Sequence, residues 1–427
     1  MSTERPLADD LSVRILWIGT KSPWPSRDGG RLVSANTLVA LADAGHALTV
    51  VTPVTPDDDA GPEVGDAHRL RSVPVRDVMP TRAASLWAGL WRGIPASIAR
   101  HANEGVRQAV ARLVEEEPFD CVHVEQLQAL ASAAPAAARG LPVVLRAQNV
   151  ESDLWAGTAA AAGVLRLPVQ IEARRMARFE AAALRRVDAV VALTRSDAER
   201  LRSISGREVD VVPAPFPAQL PNAEVALEGT PPVILLGDGS WRPNAGAARF
   251  FLDAVWPKLS SRLPGAWLHV FGQRFPASRN RVVCVPRLAE SRAAFPVGAI
   301  LAVPLFVASG VRMKILEAWA RRVPVVASPA AVAGLDATDG RHLLVAPTAE
   351  AFVDAIAALH SDPDRGARLT AAGASLLAQR HDPTAVAEAL GRVYEREVGR
   401  KKKSSQCSCR SASNGTRAPE RSSTKQS

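Results

Sequence analysis

Twelve short apolar runs alternate with helical patterns along this chain, and that alternation restricts its fold more than any other feature. The first six runs cover 13–19, 47–53, 120–125, 142–147, 188–194 and 208–213, and the second six cover 233–237, 266–272, 281–285, 299–305, 323–328 and 342–347. Apolar strands separated by amphipathic helices are typical of parallel sheets covered on both faces. The sequence therefore predicts an α/β protein with two doubly wound, Rossmann-like domains facing each other across a cleft.

A chain of 427 residues is too long for one hydrophobic core, which also favours two domains. We place the N-terminal domain at 1–215, a Pro-rich linker at 216–232 and the C-terminal domain at 233–385. A terminal helix at 386–400 is expected to pack back on the N-terminal domain. Residues 401–427 are Ser-rich with seven Lys or Arg and one Glu, which predicts a disordered basic tail.

Charge and cysteine content exclude several classes of function. The formal charge is +9, but the tail supplies most of it, so we expect no specific nucleic-acid partner. The N-terminus is acidic and polar, unlike a secretory signal, which predicts a cytoplasmic protein. Cys121 and Cys284 lie in apolar runs and are expected to be buried thiols, while Cys407 and Cys409 are closer together than zinc ligands usually are. We predict no metal site and no cofactor.

The stretch from Ser309 to Ser328 places polar residues on a strand-to-helix turn. Backbone N–H groups at such a helix start bind phosphates, and Gly310, Arg312 and Lys314 would surround them. Glu317 lies further along the helix, where its carboxylate would accept hydrogen bonds from sugar hydroxyls. The pattern indicates a diphosphate next to a hydroxylated ring. The alternative is that Lys314 and Glu317 form an ordinary surface ion pair.

Four stretches, 14–53, 143–155, 234–259 and 309–328, together give the chain a family resemblance. In this order and spacing it resembles retaining glycosyltransferases of the family 4 (group 1) type, which have the two-domain GT-B fold. The resemblance covers about residues 12 to 395. It implies metal-independent transfer of a sugar from a nucleotide diphosphate sugar to a hydroxyl acceptor, with retention of anomeric configuration, in cell-envelope or exopolysaccharide synthesis.

The resemblance and the chemistry of the turn together assign roles to individual residues. Arg312 and Lys314 would stabilise negative charge on the departing diphosphate. The predicted donor-binding residues are Gly310, Glu317, Arg242 and Ser309, and the predicted residues on the acceptor side of the cleft are Gly29, Gly30, Gln148, Asn149 and Glu151. For Gly29 and Gly30 the alternative is a tight turn, and for Arg242 it is a turn whose following helix is capped by Asn244.

Two positions depart from the family pattern. Relatives commonly carry a Glu where this chain has Ser309, and many carry a His where it has Gln148. A glutamine amide hydrogen-bonds hydroxyls but carries no proton. These departures leave two other functions open: a non-catalytic protein that binds sugar nucleotides, and a sugar-nucleotide epimerase or phosphorylase on the same scaffold.

The acceptor is expected to be a carbohydrate or a lipid-linked carbohydrate, bound mainly by the N-terminal domain. Trp87 and Trp91 lie four residues apart on one helical face, where they could contact such an acceptor or a membrane surface. Tryptophans so spaced more often belong to a core, which is the interpretation we favour. Arg174, Arg175 and Arg178 are either a solvated helix face or part of a peripheral contact with the inner face of the membrane.

Overall fold

The structure, a computed structural model, describes most of the chain. The described residues are 12–26, 28–55, 58, 69–76, 79–160, 163, 166–239, 241–275, 280–286, 288, 290–307 and 310–414. Ser309, one of the predicted donor-binding residues, lies outside them.

Parallel strands form two sheets in the described residues. The strands are β1 Arg14–Ile18, β2 Ala47–Val54, β3 Leu70–Arg76, β4 Cys121–Glu125, β5 Val143–Ala147, β6 Ala189–Ala192, β7 Asp210–Val211, β8 Pro232–Leu236, β9 Trp267–Phe271, β10 Val282–Val285, β11 Ile300–Val303, β12 Val325–Ala327 and β13 Leu344–Val345. The first sheet has the order β3-β2-β1-β4-β5-β6-β7 and the second the order β10-β9-β8-β11-β12-β13. Strand order reverses between β1 and β4 and between β8 and β11, so the prediction of two doubly wound domains is confirmed.

Helices connect most of the successive strands. They are α1 Gly29–Asp43, α2 Arg82–Arg92, α3 Ala96–His101, α4 Glu104–Glu116, α5 Ala134–Ala138, α6 Glu151–Ala160, α7 Arg166–Arg186, α8 Arg195–Ser205, α9 Arg242–Phe250, α10 Trp256–Arg262, α11 Met313–Ala320, α12 Pro329–Val332, α13 Ala349–Ser361, α14 Pro363–Arg380 and α15 Pro383–Asn414. A π-helical segment, Phe251–Val255, joins α9 to α10.

Each of the twelve predicted apolar runs overlaps a strand, but no run predicted β3. This strand, LRSVPVR, interleaves apolar residues with two arginines, a serine and Pro74, and it is only partly buried. It lies at the edge of the first sheet, where a strand tolerates proline and solvent exposure. A search for continuous apolar runs finds buried central strands and overlooks such an edge strand.

Local capping fixes where α8 begins, which matters for the site. Thr194 is its N-cap residue, and its Oγ1 accepts a hydrogen bond from the Asp197 N–H at 3.1 Å. The helix ends at Gly206, whose φ of 67° lies in the left-handed region that favours glycine. This cap holds Asp197 just beyond the carboxyl end of β6.

The C-terminal helix α15 returns to the first sheet. Tyr394 is fully buried, and its hydroxyl lies 2.7 Å from Nδ1 of His123 on β4. The shared core contains Ile15, Trp17, Leu38, Leu41, Val386, Leu390 and Tyr394. The segment between β7 and β8, which connects the two sheets, contacts the second domain. In it the Leu220 N–H donates to the Ala320 carbonyl at the end of α11 at 3.0 Å.

The predicted disordered tail is partly helical, because α15 continues to Asn414. Adding residues to an anchored helix is easier than starting one, and neither Gly nor Pro occurs between Arg400 and Gly415. Lys401 also forms an ion pair with Asp188 at 3.0 Å. Residues 415–427 lie outside the described part of the chain.

The core interpretation of the tryptophan pair is wrong. Trp87 and Trp91 on α2 are 74% and 95% exposed. Arg174 and Arg178 on α7 are exposed, whereas Arg175 is half-buried and donates to the Gly89 carbonyl at 2.6 Å. In the part of the chain that is described, no helix is both long enough and apolar enough to cross a membrane.

Candidate functional site

Loops at the carboxyl ends of the two sheets meet each other. Gly310, between β11 and α11, has a φ of 73°, and a Cβ there would lie 2.2 Å from the Gln148 carbonyl oxygen beyond β5. Its N–H donates to the Asp197 carboxylate at 3.1 Å. A Cβ on Gly29 would lie 3.6 Å from Cγ of Met313. Because ligands of doubly wound sheets bind outside the carboxyl ends of the strands, this is where a ligand is expected.

Lys314, on the first turn of α11, lies where the strand order of the second sheet reverses. Its Nζ donates to the Leu236 carbonyl oxygen at the end of β8 and lies 3.4 Å from Oδ1 of Asn244. A small cavity opens beside it, lined by Leu235, Leu236, Gly237, Asn244, Ala247, Ala248, Phe275, Ala302, Val303, Pro304 and Leu305. Burial, and secondly the charge of Arg312, lower the pKa of Lys314 to about 8. The site therefore holds a poorly hydrated cation.

Arg312 immediately precedes α11 and is buried. Its guanidinium donates to the carbonyl oxygens of Ala331, at 3.4 Å, and Ala333, at 3.0 Å, at the end of α12. Burial lowers its pKa to about 10, partly opposed by the charge of Asp197. Its neighbours thus include backbone of the second domain and a carboxylate of the first, and its charge adds to that of Lys314.

Glu317 is buried on α11, and its partners are Ser291 and Arg321. Its Oε1 accepts hydrogen bonds from the Ser291 hydroxyl at 2.6 Å and from Nε of Arg321 at 3.0 Å. The alternative of a surface ion pair between Lys314 and Glu317 is wrong, since neither side chain is exposed and Glu317 pairs with Arg321 instead.

Arg242 is exposed at the first residue of α9, and the structure does not bring it to Lys314. Asn244 makes that contact instead, and its side-chain amide also donates to the Asp238 carbonyl at 3.1 Å. The N-cap residue of α9 is Trp241, which has no side-chain capping bond, so the alternative of a helix cap through Asn244 is also wrong.

Gly29 and Gly30 are the first residues of α1, behind the N-cap residue Asp28. They have helical backbone, so the alternative that they make a tight turn is wrong. A Cβ on Gly30 would lie 3.0 Å from Oε1 of Gln148. Glycine at this position lets the start of α1 approach the segment after β5.

Gln148 is buried and makes hydrogen bonds with both ends of its amide. The amide nitrogen donates to the Glu125 carboxylate and lies 3.3 Å from both the Gly30 carbonyl and the Ser34 hydroxyl. The amide oxygen accepts from Nε2 of Gln126 at 2.8 Å. These contacts position the backbone that meets Gly310.

The sequence analysis missed Glu125, which orients Gln148. Arg146 donates to it at 2.9 Å, and His123 lies 2.8 Å away. Burial alone would raise the pKa of Glu125, but the charge of Arg146 and the bond to His123 lower it to about 2. Burial lowers the pKa of His123 to about 4. His123 and Glu125, which are ionisable residues inside the apolar run 120–125, were the signal in the sequence.

Glu151 and Glu180 form a carboxyl pair at the start of α6. Glu180 on α7 accepts from the backbone N–H groups of Glu151 at 2.8 Å and Ser152 at 3.1 Å. Burial, and then the charge of Glu180, raise the pKa of Glu151 to about 7, against hydrogen bonds from Gln128 and Asn149. Asn149 also faces the second domain, since a Cβ on Gly310 would lie 2.7 Å from its Oδ1.

The described residues contain no cluster of three or more His, Cys, Asp or Glu side chains able to hold a metal ion. Cys121 is buried as expected, whereas Cys284 is only half-buried. The side chains of Cys407 and Cys409 lie outside what the structure describes.

Known structures share this two-sheet architecture. Sucrose-phosphate synthase from Thermosynechococcus elongatus superposes with a TM-score of 0.70 at 15% identity, covering 90% of this chain and 98% of that one. HepE from Anabaena, in complex with UDP and glucose, gives 0.63 at 13% identity over 90% and 100%. WaaG, a glycosyltransferase involved in lipopolysaccharide biosynthesis, gives 0.61 at 16% identity over 89% and 99%. At these identities the likeness shows the fold. Curated protein sequences give no significant match.

Two family models match consecutive parts of the chain. The model described as "Glycosyl transferase 4-like domain" matches residues 28–216, and the model described as "Glycosyl transferases group 1" matches residues 231–362. The first match includes the start of α1 and Gln148, and the second includes Lys314 and Glu317. With both matches in this order on a GT-B arrangement of two sheets, the chain belongs to the group 1 glycosyltransferases.

Proposed function

We propose that the protein transfers a hexosyl group from a nucleotide diphosphate sugar to a hydroxyl acceptor, with retention and without a metal or cofactor. The observation that carries this proposal is the Lys314 ammonium beside a cavity, at the point where the strand order of the second sheet reverses. UDP and glucose in the HepE complex are consistent with such a donor.

Two neighbouring cations give the site its chemistry. The charge of Arg312 lowers the pKa of Lys314, and an anion bound beside the two cations would offset this repulsion. A pKa of about 8 still leaves most of Lys314 protonated at pH 7. Breaking the anomeric bond builds negative charge on the diphosphate, and this poorly hydrated pair stabilises that charge. Protonation of the diphosphate by a side chain is not required.

Glu317 positions the donor. Both of its hydrogen-bond partners, Ser291 and Arg321, use Oε1. In our proposal a ribose hydroxyl donates to Oε2, and the fixed carboxylate orients the nucleotide so that its diphosphate reaches Lys314. Gly310 would lie near the transferred sugar, and Arg242 would contact the nucleotide only from the exposed start of α9. A donor-binding role for Ser309 stays a prediction from the sequence.

The acceptor binds on the first domain, near Gly30, Asn149 and Glu151. We propose a carbohydrate or lipid-linked carbohydrate, used in cell-envelope or exopolysaccharide synthesis on the cytoplasmic side of the membrane. A lipid-linked acceptor would bring the protein into peripheral contact with that membrane.

A protein that binds sugar nucleotides without turnover is the second candidate. It is favoured by Gln148, whose amide nitrogen and oxygen are both engaged by protein groups and which carries no titratable proton. Donor binding without transfer to any of a panel of candidate acceptors would support this function.

A panel of nucleotide sugars, screened by thermal shift, identifies the donor because a ligand raises the melting temperature only if it binds the folded state. With that donor, we expect Lys314→Ala and Arg312→Ala to lower kcat by about 100-fold or more. We expect Glu317→Ala mainly to raise the donor Kd. Lys258→Ala, which changes an exposed lysine on α10, is the matched control. Near-wild-type kinetics in all three site variants would remove the proposed site.

A further inference from the structure

Helix α2 buries small residues and exposes large apolar ones, which is the reverse of an ordinary surface helix. Ser85 and Gly89 are buried, and a Cβ on Gly89 would lie 2.9 Å from the Ile94 carbonyl oxygen. The large apolar side chains of the helix instead point outward. Leu86, Trp87, Leu90 and Trp91 are 49%, 74%, 55% and 95% exposed. Since water disfavours such a surface, another apolar phase is expected to cover it.

Helix α7 also exposes apolar side chains. Leu167 and Ile171 are 67% and 50% exposed, and Arg174 and Arg178 follow them along the same helical face at spacings of three and four residues. The stripe is therefore apolar towards the start of α7 and cationic after it. We call the exposed residues of α2 and this stripe the α2–α7 face.

Hydrogen bonds from α7 hold the end of α2 and the start of α3. Arg175 on α7 donates to the carbonyl oxygens of Gly89, at 2.6 Å, and Ile94, at 2.8 Å. Glu172 on α7 accepts a hydrogen bond from the Ala96 N–H at the start of α3. These partly buried hydrogen bonds fix α7 against the segment that ends α2 and begins α3.

The exposed charges on these helices have one sign. The exposed charged residues of α7 are Arg166, Arg174, Arg178, Arg185 and Arg186, and on α2 Arg92 is exposed beside the tryptophans. The acidic residues of α7, Glu172 and Glu180, are both buried. Exposed Trp and Leu bordered by arginine match the interface of a bilayer, where indole rings lie at headgroup level and arginine binds lipid phosphate.

We propose that the α2–α7 face docks the protein on an anionic phospholipid bilayer. Charge decides between this partner and a second copy of the chain. In a symmetric dimer through this face, Arg174 and Arg178 would approach their own copies, whereas a bilayer rich in phosphate diesters neutralises them. The helices would lie in the plane of the interface without crossing it.

Docking there places a membrane next to the acceptor side of the site. Helix α7 packs along α6, and a Cβ on Gly157 of α6 would lie 2.6 Å from Cγ1 of Val307 in the second domain. The same pair of helices therefore borders both the bilayer and the junction of the two domains. This inference concerns the surface only and does not depend on the proposed transferase reaction.

Flotation of the full-length protein with lipid vesicles tests the proposal. Vesicles of phosphatidylglycerol and phosphatidylcholine should bind the wild type, and pure phosphatidylcholine should bind it much more weakly. The double variant Trp87→Ala/Trp91→Ala should reduce partitioning about tenfold or more. Arg174→Glu/Arg178→Glu should reduce it about as much, and added salt should weaken the wild type but change this variant little.

Val297→Ala and Arg368→Glu, at exposed sites on the second domain, are the matched controls and should bind like the wild type. All variants keep the basic C-terminal segment, so undiminished binding of both double variants would assign binding to that segment and overturn the proposal. Equal binding to neutral vesicles would also overturn it. A third outcome is that the wild type does not bind vesicles but self-associates, and that the tryptophan substitutions abolish this self-association. That result would show that a second copy of the chain covers the face.

Discussion

Replacing Lys314 by methionine should make the protein's stability respond differently to pH. The two side chains have similar length, so the substitution removes mainly the charge and its hydrogen bonds to Leu236 and Asn244. The pKa of Lys314 is lowered from 10.5 to about 8, which corresponds to about 3 kcal/mol against the charged form in the folded state.

The sign follows from proton binding. Between pH 8 and 10.5 the unfolded chain holds the Lys314 proton while the folded protein has released it, so the wild type gains stability as pH rises. Below pH 8 that contribution is lost. Lys314→Met has no group that titrates there. The unfolding free energy of the wild type minus that of Lys314→Met should therefore increase by about 3 kcal/mol from pH 7.5 to 10.5.

Urea unfolding of both proteins at several pH values measures this difference. Lys258→Met, at an exposed lysine, serves as the control and should follow the wild type at every pH. At pH 7.5 Lys314→Met should have lost about 100-fold or more in turnover while remaining folded. A difference in unfolding free energy that stays constant with pH would refute the conclusion that the folded protein holds a destabilised cation there.

Two further changes test the domain junction and the carboxyl pair. Gly310→Ala should lower the melting temperature and weaken donor binding. The new Cβ would meet the Gln148 carbonyl, and the positive φ at this position costs alanine about 1 kcal/mol. Gly298→Ala, also at positive φ but in open space, controls for the backbone strain alone. Unchanged donor affinity in Gly310→Ala would argue against a site at this junction. The pKa of Glu151 is raised from 4.5 to about 7, so the folded protein holds this proton more tightly than the unfolded chain does. The contribution of neutral Glu151 to the free energy of unfolding is complete below pH 4.5 and is lost as pH rises through 7. In urea titrations Glu151→Gln should therefore gain about 3 kcal/mol relative to the wild type between pH 4.5 and 7.5, and an unchanged difference would contradict the raised pKa.

The sequence predicts the fold well because buried parallel strands are continuous apolar runs. It fails where burial depends on a distant partner. The spacing of Trp87 and Trp91 indicates one helical face, but only the fold shows that Ser85 and Gly89 occupy the side against the protein. β3 was missed for the related reason that an edge strand needs only a partly apolar sequence.

The candidate site shows the same limit. The turn before α11 predicts cations at a helix start, and the structure places Lys314 and Arg312 there. The sequence does not reveal that the Gly310 N–H is taken by Asp197, more than a hundred residues earlier. Nor does it show that Glu125 holds Gln148, because Glu125 ends β4 and Gln148 follows β5. Contacts between elements distant in sequence have no local pattern to predict them.

The return of α15 to the first sheet affects how the protein is made on the ribosome. One face of that sheet, including Ile15 and Trp17, packs in part against residues that are translated after the second domain, among them Leu390 and Tyr394. Although α1 covers part of this face, the first domain therefore emerges with the rest of it uncovered while the second domain is synthesised. We expect nascent chains that stop at the interdomain segment to aggregate or to recruit chaperones, because the first domain reaches its final packing only after α15 has been synthesised.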